Sequence, residues 1–389
     1  MPIIFGTDGW RAIIAEDFTF ANVAIAARGA AQFYKKHPNA AAGMIVGYDA
    51  RFLSDKFAET VARVFAAEGL KVLLSDGISS TPQVSLAAKQ KKLAGGVIIT
   101  ASHNPAEYNG FKLKASYGGP SAPEDIAKVQ ANITKIEENP PKKAKALPEL
   151  AEFIKAKKIR MYDTKKAYLD YIRKKIDLDL IITSGVKVLY DPMHGSGIHT
   201  MDLLLPDVAQ LHNSFNPSFG DLDHPEPLGE YLPGLIAGMK TGKYSVGLAT
   251  DGDADRLGAV DEDGNFVDAH RVFVLLMKYL YEDRKQKGAV AKTISLTTMV
   301  NDYCRRNNIT MHETAVGFKY IAHLMTTEKI VIGGEESGGL GTILHIPERD
   351  GIFNGLLLLE MMARRGKTLG QLSRELDEEF GPHRYARRD

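Results

Sequence analysis

With 389 residues, the chain is too long for one ordinary hydrophobic core, and we expect two or three domains. Hydrophobic residues make up 44% of the chain and charged residues 25%, a composition typical of soluble globular proteins. The 49 Lys and Arg residues nearly balance the 48 Asp and Glu residues, and this balance excludes a global electrostatic attraction to nucleic acid or to an anionic membrane.

The cysteine content and the distribution of apolar residues indicate the cellular compartment of the protein. The single cysteine, Cys304, excludes an intrachain disulfide framework and fits a reducing environment. The strand-like start at 3–5 lacks the basic region and long apolar run of a signal peptide. The most apolar stretch, 352–362, is interrupted by Asn354 and Glu360, so we expect no membrane span. We therefore predict a cytoplasmic protein with no membrane or nucleic-acid partner.

The first part of the chain alternates predicted helices and strands. Thr19 is a candidate cap for an alanine-rich helix that runs to about Tyr34. A strand is predicted at Met44–Tyr48, Ser54 is a candidate cap for the next helix, and Thr81 opens a third. Such alternation predicts parallel strands joined by right-handed crossovers.

A short apolar run at 97–100 predicts a buried strand that ends in polar residues. Ser102 stands at its tip beside His103, turn residues follow, and Lys112 lies on the returning run. A serine at such a tip can carry a covalent group if a neighbour activates it. From these residues alone, the alternative that Ser102 and His103 only hydrogen-bond their own turn stays open.

A connector is predicted between residues 139 and 158, where the composition shifts to proline and lysine. The α/β pattern restarts after it, and a strand at 186–190 leads into a glycine-rich turn at 191–197 that we interpret as structural. A third unit has predicted strands at 289–295 and 330–333. We expect an α/β fold of three successive units, with mixed, largely parallel sheets, helices on both faces and an active-site cleft between the units.

Three carboxylates, those of Asp251, Asp253 and Asp255, follow a predicted buried strand at alternate positions. They would repel one another unless a cation held them, and an all-oxygen site suits magnesium or calcium. A calcium loop of the helix-loop-helix type is one alternative, since Glu262 falls at its twelfth position, but Arg256 stands where that loop needs glycine. A structural role, with the carboxylates capping turns and facing water, is another.

A second polar loop, 333–339, contains Glu335 and Ser337 between glycines and can hydrogen-bond vicinal hydroxyls, although such a sequence is also typical of a simple polar turn. Arg349 can offer a phosphate a forked pair of donors. Considered alone, the sequences around Lys292, Lys319 and Arg349 leave a solvated or surface-paired role open for each of them.

Four segments together resemble the α-D-phosphohexomutases, the phosphoglucomutase and phosphomannomutase family. They occur in the family's order over nearly the whole chain: Phe5-Gly-Thr-Asp-Gly-Trp-Arg11, Thr100-Ala-Ser-His-Asn-Pro105, Asp251-Gly-Asp-Ala-Asp-Arg256 and Gly334-Glu-Glu-Ser-Gly338. The resemblance labels four regions: domain I at 1–150, domain II at 151–255, domain III at 256–372, and a linker toward a fourth domain at 373–389.

The resemblance also implies the roles of individual residues. Ser102 would be the phosphoserine and, with Asp251, Asp253 and Asp255, would bind Mg²⁺. His103, Lys112 and Arg11 would act near the reacting groups, and sequence does not choose between Lys112 and His103 as the base. The implied substrate-binding residues are Arg256, Lys292, Gly317, Lys319, Glu335, Ser337 and Arg349. Several family members have histidine where this chain has Gly339.

The implied reaction exchanges hexose 1-phosphate and hexose 6-phosphate through a hexose 1,6-bisphosphate, with glucose 1,6-bisphosphate as activator. Glucose is the favoured sugar, and mannose remains an alternative. A hexose bisphosphate synthase, a phosphatase and a non-catalytic sugar-phosphate binding module also stay open. The expected partner is a small sugar phosphate, and the expected state is a monomer or homodimer. Because the family's fourth domain, with its phosphate-gripping loop, has no counterpart in these residues, we expect at best weak mutase turnover.

Overall fold

The computed structural model describes residues 2–6, 9–140 and 147–384. It divides into two compact units, one of Met1–Tyr168 with Asn216–Gly220 and the other of Leu169–Phe215 with Asp221–Asp389. Thr7 and Asp8 of the opening motif, and part of the predicted connector, lie outside the described residues. None of the helices in the described part has both the length and the apolar character needed to cross a membrane.

The first unit is built on a six-stranded mixed sheet in the order β1-β5-β4-β2-β3-β6. β4, β2, β3 and β6 run parallel, while β5 and β1 pair antiparallel at one edge. The strands are β1 Trp10–Ile13, β2 Met44–Tyr48, β3 Val72–Ser75, β4 Gly95–Ile99, β5 Tyr108–Ala115 and β6 Ile159–Tyr162. The helices are α1 Phe20–Tyr34, α2 Ser54–Ala67, α3 Thr81–Gln90, α4 Pro123–Glu138 and α5 Leu150–Lys155, and α6 Thr164–Ile172 contains the point where the chain leaves this unit.

Helices cover both faces of this sheet, as the alternating apolar residues of its central strands require. Val97 and Ile99 of β4 belong to the main core formed with α1, α2 and α4. Ile98, between them, belongs to a separate core with Val84 of α3. Successive side chains of one buried strand therefore enter two different layers.

The second unit contains two sheets. One has the order β11-β10-β9-β7-β8 and the other the order β13-β12-β14-β15, and both mix parallel and antiparallel pairs. The strands are β7 Val188–Asp191, β8 Ala209–Gln210, β9 Val246–Thr250, β10 Leu257–Val260, β11 Phe266–Val267, β12 Ala289–Thr293, β13 Met311–Thr314, β14 Ile330–Gly334 and β15 Leu340–Thr342. The helices are α7 Leu178–Thr183, α8 Pro233–Met239, α9 Ala269–Glu282, α10 Met299–Arg306, α11 Phe318–Thr327, α12 Gly351–Arg365 and α13 Leu369–Phe380.

Glycines let helices approach the sheets of this unit from both sides. A Cβ on Gly333 of β14 would lie 2.3 Å from Ile321 of α11, and one on Gly334 would lie 2.5 Å from Leu340 and 2.8 Å from Phe273 of α9. The predicted α/β class, with three successive units of mixed sheets, is confirmed.

The first sheet and the second sheet each continue past the expected domain boundaries. β6 pairs with β3 although it follows residue 150, and β10 and β11 pair with β9 although they follow residue 255. We therefore propose boundaries after Tyr162 and after Val267. α13 runs past residue 372, so we propose that the third unit extends to Phe380.

Of the two residues predicted to cap helices α1 and α2, one is confirmed and the other is wrong. Thr19 caps α1 by accepting the N–H of Asn22, as expected. Ser54 does not cap α2. Leu53 occupies the cap position with a φ of 58°, and the Ser54 hydroxyl instead donates to Oδ1 of Asp49 at 2.8 Å. The buried carboxylate at the end of β2 takes this hydroxyl because its own lost hydration must be replaced.

Candidate active site

Ser102 lies directly beyond β4 in a left-handed backbone conformation, with a φ of 55°. Its side chain is buried, and its N–H donates to Oγ1 of Thr100 at 2.9 Å. For a residue other than glycine this conformation costs on the order of 1 kcal/mol, and it persists only where neighbouring groups hold it. Strain of this kind, at the end of a central strand, is typical of functional loops.

Arg51, a buried side chain, holds this loop. Its guanidinium donates to the backbone carbonyls of Ser102 at 2.8 Å, Pro105 at 2.7 Å and Tyr108 at 3.0 Å, and also to that of Asn104. Five donors in a fixed fork make arginine suited to binding several acceptors at once. The clamp therefore fixes the backbone at Ser102 and over the residues that follow it, as far as Tyr108.

Asp49 supports Arg51 from the end of β2. Its Oδ2 lies 3.3 Å from Nε of Arg51, and both side chains are fully buried. Burial raises the pKa of the Asp49 carboxyl, while Arg51 acts in the opposite direction. Sequence analysis missed this pair. The sequence did contain a signal for this pair, because Asp49 and Arg51 follow the end of a predicted parallel strand. Functional residues in such sheets usually lie there.

The predicted basic residues of the first unit surround the same loop. Antiparallel pairing of β1 with β5 places Arg11 opposite Gly110, and NH1 of Arg11 donates to Oδ1 of Asn104 at 2.7 Å. Lys112 lies two residues further along β5 and is buried. Because alternate residues share a face, Arg11 and Lys112 lie on one side of the sheet. His103 is half-buried next to Ser102.

The acidic cluster follows β9 in the second unit. Asp251, Asp253 and Asp255 are fully buried, and each offers an oxygen within 4.8 Å of the others. Oδ1 of Asp251 accepts the N–H groups of Asp255 at 2.9 Å and of Arg256 at 3.1 Å. Three buried carboxylates at this separation form an oxygen donor set that fits a hard divalent cation such as Mg²⁺. In the described part of the chain this is the one group of three or more potential ligands.

Neither alternative for the cluster fits the structure in full. Asp251 does accept N–H groups of its own turn, but full burial excludes carboxylates that face water. The calcium loop fails because strands β9 and β10, not helices, flank the cluster. Glu262 also accepts hydrogen bonds from the Thr368 hydroxyl and the Gly370 N–H.

The glycine-rich turn after β7 packs against this cluster. Ser196 donates its N–H to the carbonyl of Gly252 at 2.8 Å, and a Cβ on Gly195 would lie 2.8 Å from the carbonyl of Asp251. The contact supports the structural interpretation of this turn, since the absence of a side chain lets the two backbones touch.

The loop 334–339 is joined to the acidic cluster. Arg256 and Gly339 form a backbone bridge, and Leu257 donates its N–H to the carbonyl of Gly338 at 3.1 Å. Arg349 donates to Oδ2 of Asp255 at 2.6 Å and to Oε2 of Glu335 at 3.2 Å. The structure thus brings together three regions that the sequence analysis treated separately: the acidic cluster, the loop 334–339 and the segment that carries Arg349.

Glu226, which the sequence analysis missed, accepts from NH1 of Arg256 at 2.9 Å. No motif surrounds Glu226, so its role follows only from this contact. The half-buried Ser337 lies in the same loop as Glu335.

The remaining candidate substrate-binding residues are Lys292, Gly317 and Lys319. Nζ of the buried Lys292 donates to the Leu296 carbonyl at 3.0 Å and lies 2.9 Å from Glu313. Gly317 begins α11 with a φ of 128°, and Lys319 lies over the ring of Tyr320. β12 is nevertheless joined to the loop 334–339, because Thr293 donates to Glu336 at 3.1 Å.

Comparison with known proteins identifies the family. The models for Phosphoglucomutase/phosphomannomutase alpha/beta/alpha domains I, II and III match residues 2–140, 166–264 and 268–380. The phosphoglucosamine mutase of Carboxydothermus hydrogenoformans is 30% identical over 389 residues, covering 97% of this chain and 83% of that protein. The phosphoglucomutase of Komagataeibacter xylinus is 28% identical over 417 residues, covering 100% and 74%. The crystal structure of a protein from Thermus thermophilus assigned as a phosphomannomutase matches with a TM-score of 0.87 at 34% identity, covering 97% and 84%. The chain therefore belongs to the phosphoglucomutase/phosphomannomutase family, whose enzymes are isomerases of the intramolecular phosphotransferase type.

Proposed function

We propose that the chain interconverts hexose 1-phosphate and hexose 6-phosphate through a phosphoserine at Ser102 and a hexose 1,6-bisphosphate. The observation that supports this most is the Arg51 clamp, which holds a serine at a strand tip in a conformation that costs free energy. A serine held in this way is suited to carry a covalent group.

In the proposed reaction, phosphorylated Ser102 gives its phosphoryl group to a hydroxyl of the bound hexose monophosphate. The P–O bond to Oγ breaks, a new P–O bond forms to the sugar oxygen, and Lys112 or His103 accepts the proton of that hydroxyl. The bisphosphate then turns over and returns its other phosphate to Ser102. Positive charge from Arg11 and Arg256 stabilises the transferring group.

The metal proposed for this site is Mg²⁺, which Asp251, Asp253, Asp255 and an oxygen of the Ser102 phosphate would hold. When bound, it supplies charge neutralisation for phosphoryl transfer. The buried, closely spaced carboxylates support this part of the proposal. We further propose glucose 1,6-bisphosphate as activator, a cytoplasmic location, and a monomer or homodimer.

Seven residues that lie near the acidic cluster or near the ends of β12 and β13 are proposed to recognise the substrate. Glu335 and Ser337 would hold hexose hydroxyls, and the remaining five would contact phosphate or sugar: Arg256, Lys292, Gly317, Lys319 and Arg349. Glucose is the proposed sugar. Glucosamine is a second candidate, because the relative from C. hydrogenoformans is a phosphoglucosamine mutase. Mannose is a third.

Two measurements on the purified chain test the function. Incubation with glucose 1,6-bisphosphate should add one phosphate to Ser102, seen by mass spectrometry, and Ser102→Ala should abolish it. Assays with the 1-phosphates of glucose, glucosamine and mannose should then give the highest kcat/KM for glucose. Persistent absence of the phosphate would favour a binding module. Release of inorganic phosphate or accumulation of bisphosphate would favour a phosphatase or a bisphosphate synthase.

A further inference from the structure

Arg349 is shared between two carboxylates that the proposed function gives to different tasks. Its NH2 group donates to Oδ2 of Asp255 in the acidic cluster, and its NH1 group donates to Oε2 of Glu335 in the loop 334–339. The three side chains are at most 8% exposed. Interactions between buried charges are screened little by solvent, so the position of this guanidinium affects both carboxylates.

The absence of a side chain at residue 339 lets Arg349 reach this position. A Cβ on Gly339 would lie 2.3 Å from Cδ of Arg349 and 3.4 Å from Oε2 of Glu335. Cδ lies in the middle of the arginine side chain, so even alanine at 339 would force the arginine to move. Gly339 and Arg349 therefore form a matched pair in this chain.

Backbone contacts join the segments that carry these side chains. Gly351, two residues after Arg349, donates its N–H to the carbonyl of Ala254 at 3.0 Å, and a Cβ on Gly351 would lie 2.1 Å from the carbonyl of Arg256. Gly338 and Gly339 contact Leu257 and Arg256, the two residues that directly follow the acidic cluster. A shift at the cluster is thus transmitted to Glu335 through both side chain and backbone.

We propose that Arg349, in addition to the substrate contact proposed above, couples cation binding at the acidic cluster to the orientation of Glu335. The proposal rests on the proposed function. Arg349 and a divalent cation would share the carboxylate of Asp255, so a cation bound there would weaken the Arg349 contact and leave the guanidinium to Glu335. Because coupling between two sites is reciprocal, cation and hexose phosphate should each strengthen the binding of the other.

Mn²⁺ binding, followed by its electron paramagnetic resonance signal in the Ser102→Ala background, tests the coupling without turnover. The unmodified Arg349 chain should bind Mn²⁺ several-fold more tightly when glucose 1-phosphate is present. Arg349→Met removes the competing charge and should tighten Mn²⁺ binding by about tenfold in the absence of sugar, while it weakens glucose 1-phosphate binding. It should also abolish the coupling. Arg349→Lys keeps the charge but not the fork, and should lose the coupling with little change in Mn²⁺ affinity.

Arg364→Met on α12 is the matched control, since Arg364 lies at the surface near Asp177, and it should change neither affinity. If Arg349→Met weakens Mn²⁺ binding, or if the Arg349 chain shows no coupling, the proposal is overturned. The coupling measurement needs no change at Arg349, so it decides the question even if Arg349→Met does not fold. If no hexose phosphate binds at all, the proposed function fails, and the Mn²⁺ affinity of Arg349→Met still decides whether Arg349 competes for Asp255.

Discussion

NH2 of Arg51 lies 2.8 Å from the backbone carbonyl oxygen of Ser102, although the two residues are 51 positions apart in the chain. The same guanidinium binds three further carbonyls between Asn104 and Tyr108. A single buried cation therefore holds the loop on which the left-handed conformation of Ser102 depends.

Two substitutions of Arg51 should have different effects, one on the stability of the fold and the other on the reactivity of Ser102. Arg51→Met leaves Asp49 as a buried charge without its cation and should destabilise the protein by about 3–5 kcal/mol. Arg51→Lys keeps the charge but cannot bind four carbonyls, so phosphorylation of Ser102 should slow by at least about tenfold. Urea unfolding and the time course of Ser102 phosphorylation by mass spectrometry measure the two effects.

Arg63→Lys is the matched control for Arg51→Lys. Arg63 lies on α2 and donates to the carbonyls of Leu147 and Pro148, away from the Ser102 loop. It should leave the phosphorylation rate unchanged. A normal rate in Arg51→Lys would show that the clamp is not needed to position Ser102.

His212 gives the second unit a pH dependence. Its Nδ1 lies 2.9 Å from Oδ2 of Asp191, its Nε2 lies 3.5 Å from Asp221, and its ring lies 5.1 Å from that of His194. The hydrogen bond to Asp191 raises the pKa of His212, against the lowering effect of burial. A histidine whose pKa is raised by folding stabilises the protein fully below its unfolded pKa of about 6.5 and loses that contribution as pH rises through the folded value.

The free energy of unfolding should therefore fall as pH rises above about 6.5 and through the raised pKa of His212, and His212→Gln should reduce this slope. Urea unfolding across this range measures it. His323→Gln, an exposed change on α11, should keep the slope of the original chain. An identical slope in His212→Gln would show that this histidine does not contribute.

The acidic cluster should make the protein's stability depend on Mg²⁺. A ligand that binds only the folded state at about 100 times its dissociation constant stabilises it by about 2.7 kcal/mol. Asp253→Asn removes one ligand and also part of the repulsion among the carboxylates. The variant should be at least as stable as the original chain in EDTA and should gain little from Mg²⁺, as measured by thermal unfolding.

Asp263→Asn, an exposed change in the turn after β10, is the control and should respond to Mg²⁺ like the original chain. Equal Mg²⁺ stabilisation of Asp253→Asn would mean that the cation binds elsewhere.

Sequence reasoning predicted those parts of the fold that depend on local signals. The Thr19 cap and the strand Met44–Tyr48 each follow from neighbouring residues, and the structure agrees. Ser54 failed as a cap because a buried carboxylate from another element takes its hydroxyl. The predicted connector was wrong in part: it contains α5, and β6 follows directly, because the pairing of β6 with the distant β3 leaves no trace in local composition.

The site could be predicted only as a set of motifs. Ser102, Arg11 and the three aspartates could be predicted because their sequences form recognisable loops. Arg51 was missed and the partners of Arg349 were not foreseen, since their contacts join residues 51 and 94 positions apart. Charged side chains in such positions look like ordinary surface residues until the fold shows that they are buried.

The turn at Gly195 offers a test of the metal site that changes no ligand. A Cβ at this position would lie 2.8 Å from the carbonyl of Asp251 and 2.8 Å from Cα of Gly252, and backbone atoms cannot move aside as a flexible side chain can. Gly195→Ala should therefore push the acidic loop out of place, weaken Mn²⁺ binding several-fold and destabilise the protein by about 1–3 kcal/mol. Gly234→Ala, in the first turn of α8, meets no atom closer than 3.9 Å and should leave both properties unchanged or slightly improve stability. Mn²⁺ titration and urea unfolding of the two variants measure the difference. If Gly195→Ala binds Mn²⁺ as tightly as Gly234→Ala, the contact between the turn and the acidic loop plays no part in placing the carboxylates.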